Sequence, residues 1–263
     1  MTARDAVAHA ERRLAAAGVE TPRVDAEWLV AHVAQTTRTR LFDVRDVDAD
    51  RLDRLLRRRE AREPLAYVLG EWGFRRLTLK TDARALIPRP ETETLVERAL
   101  ALIASVDAPR VLDVGVGGGA VALAIADEHP SARVTGVDTS PDAVELAREN
   151  AEALALPIEL RASGVAVAGE GWDLVVSNPP YVSEQEWEQL QPEIRGWEPR
   201  AALVGIGFHE TLARTAKTRA LVVEVGDGQA SSVERTFANC GYVDITITND
   251  LTGRQRVVEG RRV

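Results

Sequence analysis

The sequence predicts an α/β protein: a mostly parallel sheet covered by helices, preceded by a small helical bundle. Three observations carry this. Strand-like and helix-like segments alternate from Arg110 onward, residues 1–63 show only helical spacing, and a glycine-rich loop joins the first strand of the alternating region to its helix. Strands separated by helices pair in parallel, and a parallel sheet needs cover on both faces.

Ala6, Val7, Ala10, Leu14 and Ala17 recur at helical spacing, and Gly18 can close that helix. Thr21-Pro22 opens a second helix through Ala26, Leu29, Val30 and Val33, with Thr21 as its cap and Pro22 in its first turn. Asp50 to Arg62 is a third, with Leu52, Leu55 and Leu56 on one face; its Arg57–Glu60 run reads as a solvated face. Between Pro64 and Pro88 the pattern changes. Leu77, Leu79 and Thr81 alternate and Ala85 to Ile87 follow a polar break, which reads as a β-hairpin.

From Arg110 the expected strands are 110–114, 133–137, 157–160, 172–177 and 220–225. Helices are expected at 120–128, 141–154 and 210–216. Residues 242–248 and 255–259, joined by a turn at 249–253, form a closing pair and predict an antiparallel edge. Residues 1–70 are thus expected as a helical domain, 71–88 as a β-hairpin linker and 89–263 as the sheet domain.

The chain has 263 residues, 45% apolar and 28% charged, with a formal net charge of -8. The charge is uneven. Residues 1–70 hold 13 arginines against 12 acidic residues, a net of +1, which leaves -9 for the remainder. Such a chain lacks the basic field that holds nucleic acid without sequence preference, so no direct nucleic-acid binding is expected. Cys240 is the sole cysteine, which excludes an intramolecular disulfide and suits a reducing compartment. The N-terminal stretch has acids and arginines throughout, unlike a signal peptide, and no apolar run approaches the ~20 residues of a membrane span. A cytoplasmic protein with no membrane association is expected. His9, His32, His129 and His209 show no metal-ligand spacing, so no metal is expected.

Two motifs carry chemistry. The first is Asp113, Gly115, Val116, Gly117, Gly118 and Gly119, between a strand and a helix. Glycines allow positive φ and a close approach of ligand to backbone, and the helix start offers free N–H groups. Asp138 ends the next strand, where a carboxylate can accept both hydroxyls of a ribose. Together these residues fit an adenosine-containing cofactor. Gly115, Gly117 and Ala120 also match the dinucleotide fingerprint G-x-G-x-x-A, so this motif alone does not name the cofactor. A tight strand–helix turn with Asp138 as a helix cap is the blander alternative.

The second motif is Asn178-Pro179-Pro180-Tyr181, directly after the fourth strand. In an open α/β sheet it falls on the same edge as the glycine loop. The Asn178 side-chain carbonyl and the Pro179 backbone carbonyl can each accept an N–H hydrogen bond. Holding both hydrogens of a planar amide or amino group aims its nitrogen at a methyl donor. The prolines stiffen the loop, and Tyr181 can pack on a planar acceptor. In-line attack on a sulfonium methyl needs no strong base, only orientation and desolvation. Hydride transfer has no need of such a loop. A rigid post-strand turn is the alternative.

At these residues the sequence resembles the class I S-adenosylmethionine-dependent methyltransferases that act on exocyclic or amide nitrogens, a Rossmann-like fold. Three further segments narrow the resemblance: LIPRPETE at 86–93, WEPRAAL at 197–203 and DLTGRQRVV at 250–258. With the helical N-terminal region, the chain is similar to the peptide chain release factor glutamine N5-methyltransferases over nearly its whole length. The resemblance implies S-adenosylmethionine as cofactor and S-adenosylhomocysteine as product. It implies the Gly-Gly-Gln glutamine of class I peptide chain release factors as acceptor. Asn178 and Pro179 would hold that amide and Tyr181 would flank it, with Pro180 completing the loop. Arg89 and Pro90 would lie at the mouth of the site, where Pro90 and its acidic neighbours also suit the start of a helix. The N-terminal bundle would help dock the release factor, and a monomer is implied.

Two departures stand out. Arg161-Ala-Ser-Gly-Val165 replaces the acidic and aromatic stretch that such enzymes carry after the third strand. Lys217-Thr-Arg219 stands where a glycine-rich turn is expected, after a shortened segment. Two other readings stay open: an amino methyltransferase acting on a nucleic-acid base, and a degenerate protein that binds release factors without catalysis.

Overall fold

Helices form where the apolar spacing requires them. The computed structural model describes residues 1–262, which fall into two units: Met1–Glu71 with Leu190–Trp197, and Trp72–Gln189 with Glu198 onward. In the first unit, α1 (Ala3–Ala16), α2 (Pro22–Val33), α3 (Ala49–Glu60) and the short α4 (Leu65–Leu69) bury Val7, Leu14, Leu29, Leu52 and Leu56 in one core. The Thr2 hydroxyl caps α1 and the Asp48 carboxylate caps α3. Gly18, at φ 73°, ends α1 in the left-handed region.

Two local expectations change. Thr21 stands at the cap position of α2 but makes no cap bond; its hydroxyl donates to Asp25 Oδ1 at 2.8 Å. The Arg57–Glu60 run is only in part a solvated face. Arg57 and Arg58 are exposed and Glu60 is half-buried. Arg58 forks onto Glu63 and onto the carbonyls of Tyr67 and Val68. Arg59 is buried, with Nε on Asp25 at 2.7 Å and Nη2 on Glu193 at 2.9 Å. Glu193 belongs to α9 (Pro192–Trp197) and also receives both forks of Arg62 at 2.7 Å. Its partners lie more than 130 residues earlier in the chain, which local spacing does not reveal.

The second unit opens with a hairpin of β1 (Glu71–Phe74) and β2 (Leu77–Lys80). The hairpin is present and β2 is the expected alternating strand, but its partner is β1 and not 85–87. Ala85–Ile87 is not a strand; Ala85 and Ile87 are buried and line a cavity instead. Then come α5 (Thr92–Ile103), β3 (Arg110–Val114), α6 (Ala120–Glu128), β4 (Arg133–Asp138), α7 (Pro141–Leu154), β5 (Glu159–Ala162) and β6 (Trp172–Ser177). The short α8 (Glu184–Trp187), α10 (Phe208–Thr215), β7 (Thr218–Glu224), α11 (Ala230–Asn239), β8 (Val243–Asn249) and β9 (Gln255–Arg261) complete it.

The seven-stranded sheet has the order β5-β4-β3-β6-β7-β9-β8. Strands β3 to β7 pair in parallel, and β9 runs antiparallel between β7 and β8. The fold is the mostly parallel Rossmann-like sheet with an antiparallel edge that the sequence predicts. Each central strand serves two cores. Ala220 and Val222 of β7 pack toward α5 and α6, whereas Leu221 and Val223 pack toward α10 and α11. Side chains of successive strand residues point to opposite faces, so a strand buried on both sides reads as one apolar run. Of α5 the sequence marks only the start, near Pro90, and α11 carries no start signal. Ala230, Val233 and Phe237 do carry helical spacing, though between polar residues that resemble a loop.

Among the described residues no helix is long and apolar enough to cross a membrane, and no His/Cys/Asp/Glu group is placed to hold a metal.

Replacing Arg59 by alanine should leave the buried Asp25 carboxylate with one hydroxyl partner. The expected loss is about 3 kcal/mol of stability in urea denaturation of the full chain. Arg57→Ala, at the exposed neighbour, should change it by less than about 1 kcal/mol. Equal effects would show that the Arg59 contacts contribute nothing special.

Candidate active site

The chain goes from β3 to β4 to β5 on one side, then crosses to place β6 on the other side of β3. A crevice opens at the carboxyl ends where the order reverses. Both motifs lie there, and a cavity of about 300 Å³ lies between them.

The glycine loop is shaped by backbone bonds. The Val137 carbonyl accepts from the N–H groups of Gly115 (2.8 Å) and Val116 (2.9 Å), tying the loop to β4. Gly115, Gly117 and Gly119 have φ of 82°, 52° and 93°, a region that favours glycine. A Cβ on Gly119 would come 2.8 Å from Leu123 Cδ1, and one on Gly115 would face the Asn178 carbonyl at 3.8 Å. Gly119 therefore serves the turn into α6 and does not line the cavity, whereas Gly115, Val116, Gly117 and Gly118 do. The buried Asn150 of α7 clamps the loop from behind. Its Nδ2 donates to the carbonyls of Gly118 (2.9 Å) and Lys80 (3.1 Å), and its Oδ1 accepts from Lys80 N–H.

Two carboxylates bracket the loop. Asp138 lines the cavity and accepts from Gly117 N–H through Oδ2 (3.0 Å) and from Ser140 N–H through Oδ1 (2.9 Å). Each oxygen keeps a further lone pair. Asp113, in β3, is almost wholly buried and accepts from the Ala122 N–H of α6 at 3.1 Å. Burial pushes its pKa up to about 7, and the Asp138 charge adds to this against the pull of the Ala122 bond.

Ser177 Oγ donates to the Val114 carbonyl at 2.6 Å, joining the ends of β6 and β3 where the two motifs begin. Asn178, Pro179 and Pro180 line the cavity. Asn178 Nδ2 donates to Thr92 Oγ1 at 3.1 Å, and Thr92 Oγ1 donates to Glu224 Oε2 at 2.7 Å. Tyr181 does not line the cavity. Its hydroxyl donates to Glu224 Oε1 at 3.1 Å, and Gln229 Nε2 holds its carbonyl at 2.9 Å. Burial pushes the Tyr181 phenol up, helped by the Glu224 charge. Burial also raises the Glu224 carboxyl, while the Thr92 and Tyr181 hydrogen bonds and the Arg256 charge oppose it.

Arg89 lines the cavity; Pro90 stands outside it, just before α5. The Arg89 guanidinium donates to buried Glu198 Oε1 at 2.5 Å, and Ile87 N–H donates to Glu198 Oε2 at 3.2 Å. The segments at 86–93 and 197–203 thus form one rim. The altered stretch after β5 also contributes. Ser163 N–H donates to the Asp138 carbonyl at 2.8 Å, and Ser163, Gly164 and Val165 line the cavity. Residue reading missed Thr92, Glu224, Asn150 and Phe208. Thr92 lies within the 86–93 segment, but no local pattern marks its hydroxyl.

Comparison with known proteins fits this geometry. Residues 5–70 match the model of the PrmC N-terminal domain and residues 92–193 that of the methyltransferase small domain. The release factor glutamine methyltransferase of Deinococcus radiodurans is 39% identical over 100% of this chain and 99% of its own length. This chain belongs to the release factor glutamine methyltransferase family. The family member from Geobacter sulfurreducens is 38% identical over 94% of this chain and 92% of its own. Among solved structures, the T. thermophilus 16S rRNA N2 G1207 methyltransferase, in complex with AdoMet and guanosine, shares the fold. Its TM-score is 0.53 at 18% identity, over 73% of this chain and 50% of that one.

Asp113 yields a pH prediction. Its folded pKa is raised above the ordinary value of about 4, so its contribution to stability is present below roughly pH 4 and lost as pH rises through about 7. Asp113→Asn keeps an acceptor for Ala122 N–H and removes the ionisation. Relative to this variant, the wild-type protein should lose on the order of 4 kcal/mol between roughly pH 4 and pH 8. Parallel denaturation curves across that range would mean that Asp113 does not titrate there.

Proposed function

We propose that this protein transfers a methyl group from S-adenosylmethionine to the side-chain amide nitrogen (N5) of the glutamine in the Gly-Gly-Gln motif of class I peptide chain release factors. The observation that carries this reading is the fixed carboxamide of Asn178. Its NH2 end is engaged with Thr92, which leaves Oδ1 as an acceptor at a cavity that it lines with the glycine loop. The family's name, borne by relatives aligned over almost the whole chain, supplies the acceptor.

The residues fit an adenosine-containing cofactor. The cradle is built of glycines, and Gly115, at φ 82°, holds a backbone conformation that a side chain would strain beside Asn178. Asp138 has lone pairs left for ribose hydroxyls, and its bonds to Gly117 and Ser140 hold it in place. Asp113, Gly115, Val116, Gly117 and Gly118 would hold the remainder, with Gly119 shaping the turn. When bound, the cofactor supplies an electrophilic methyl on a sulfonium.

The chain's own work is orientation. A glutamine amide is planar, and its nitrogen lone pair is delocalised. Asn178 Oδ1 and the Pro179 carbonyl accept its two N–H groups and aim the nitrogen along the line of transfer. Pro179 and Pro180 offer no N–H to compete, and their rings limit motion of the loop. The methylated amide nitrogen is strongly acidic and loses its proton to water, so no dedicated base is needed. Arg89 and Pro90, at the rim, would meet the polypeptide flanking the glutamine. Tyr181, outside the cavity and held by Glu224 and Gln229, would anchor the loop's far end and not touch the acceptor. The acidic sheet-bearing half of the chain suits a protein substrate better than a polyanion. A reducing, cytoplasmic setting fits the single cysteine.

The test is mass spectrometry of a purified class I release factor incubated with this protein and S-adenosylmethionine. One added methyl on the Gly-Gly-Gln glutamine is expected. Asn178→Ala should lower kcat by about a hundredfold or more while leaving cofactor affinity intact. Asp138→Ala should instead weaken cofactor binding by about tenfold or more. An unmodified glutamine with wild-type protein would overturn the reading. Loss of cofactor binding in Asn178→Ala would overturn the role given to Asn178.

A further inference from the structure

Thr92 and Glu224 stand behind the Asn178-Pro179-Pro180-Tyr181 loop, and both are almost wholly buried. Thr92 is 4% exposed and Glu224 1%. They come from different elements: Thr92 begins α5 and Glu224 ends β7. Their bonds form a relay with one direction. Burial raises the Glu224 carboxyl, and the Thr92 and Tyr181 hydrogen bonds and the Arg256 charge oppose that; in its ionised form it accepts only, taking the Thr92 proton at Oε2 (2.7 Å) and the Tyr181 proton at Oε1 (3.1 Å). A hydroxyl has one proton, so Thr92 then offers Asn178 only a lone pair. A lone pair can be met by the NH2 end of a carboxamide and not by its oxygen. Nδ2 therefore turns to Thr92 (3.1 Å), and Oδ1 must face the other way.

We propose that Thr92 and Glu224 are positioning residues that set which end of the Asn178 carboxamide faces the acceptor. The inference rests on the reading that Asn178 receives an amide N–H. Without the relay the two ends of Asn178 are nearly equal in shape. A flipped Asn178 would present NH2 to the substrate's own NH2, two donors face to face, and the glutamine nitrogen would not be aimed. Glu224 also holds Tyr181, so one buried carboxylate fixes both ends of the loop. From the backbone side, His209 Nε2 donates to the Glu224 carbonyl at 2.8 Å.

The test uses the full-length protein and two readouts. The first is steady-state methylation of a purified release factor by Thr92→Val, Thr92→Ser and Glu224→Gln. Valine keeps the shape of threonine without its hydroxyl, and serine keeps the hydroxyl. Glu224→Gln leaves one side-chain acceptor for two hydroxyls. Thr92→Val should lower kcat about tenfold to a hundredfold with unchanged affinity for S-adenosylmethionine. Thr92→Ser should recover most of that loss, and Glu224→Gln should lose at least severalfold. The second readout needs no substrate. The chain has four asparagines, and the Asn178 side-chain NH2 resonance, assigned by its loss in Asn178→Ala, should shift in Thr92→Val and return in Thr92→Ser. Wild-type kcat in both Thr92→Val and Glu224→Gln, or an Asn178 resonance indifferent to Thr92, would overturn the proposal. So would a loss in Thr92→Val that serine does not recover. If Thr92→Val melts too early to assay, Glu224→Gln and the serine variant's resonance decide. If wild-type protein leaves the glutamine unmodified, the proposed reaction fails, while the resonance still reports on the orientation of Asn178.

Discussion

The parallel pairing of β3 with β6 is the constraint on which the site depends. Val111, Leu112 and Asp113 lie in register with Leu174, Val175 and Val176. That register brings Val114 level with Ser177, whose hydroxyl closes the gap at 2.6 Å. One residue later each strand enters a motif loop, Gly115 on one side and Asn178 on the other. Strands far apart in sequence thus deliver two loops to the same edge. A register slip would turn every side chain of β6 to the opposite face and strand the apolar pairs of both cores. The burial of those cores therefore fixes the distance between glycine loop and asparagine.

The site is costly in charge. Asp113 and Glu224 are both carboxyls with raised pKa, held in the interior by the fold around them. An apolar residue in either place would pack at no desolvation cost. Perturbed groups of this kind gather where a protein has chemistry to perform. Their surroundings show the division of work. Asp113 faces the cavity with one backbone partner, whereas Glu224 is surrounded by donors and turned away from the cavity. Desolvation dominates in both, yet only Glu224 has its charge shared among two hydroxyls and a nearby guanidinium.

Much of this was legible in the sequence, and the pattern of what was not is physical. Strands β3, β4 and β6 and helices α6 and α7 were read to within a residue, because each combines a strong apolar pattern with a turn or cap signal at its ends. Strand β5 was placed two residues early. It is an edge strand, and of its residues only Leu160 packs on the core, so its bounds come from pairing with β4 and not from its own pattern. The hairpin was misassigned because Leu77 and Leu79 alternate clearly while their partners Glu71–Phe74 are mostly exposed. In the site, Asp138, the glycines and Asn178–Pro180 were found because motif spacing marks them. Thr92 and Glu224 lie 86 and 46 residues from Asn178. No local rule joins a threonine in a helix start to an acid at a strand end.

The arginine-rich stretch of α3 shows the same limit from the other direction. By composition, Arg57–Glu60 has the look of a face meant for water. Arg59 is instead among the most buried charges in its unit, because Asp25 and Glu193 converge on it. The chain thus places acid anchors on both sides of Trp197. Glu193 is held by Arg59 and Arg62 within the helical unit, and a few residues on, Glu198 is held by Arg89 and the Ile87 N–H at the rim of the cavity. Each anchor uses both of its carboxylate oxygens, which fixes direction as well as distance. A segment with few apolar residues of its own, between α8 and the 3-10 turn at Arg200–Ala202, is therefore positioned by charge geometry. The arginines that hold it lie far away in sequence, beyond the reach of any local pattern.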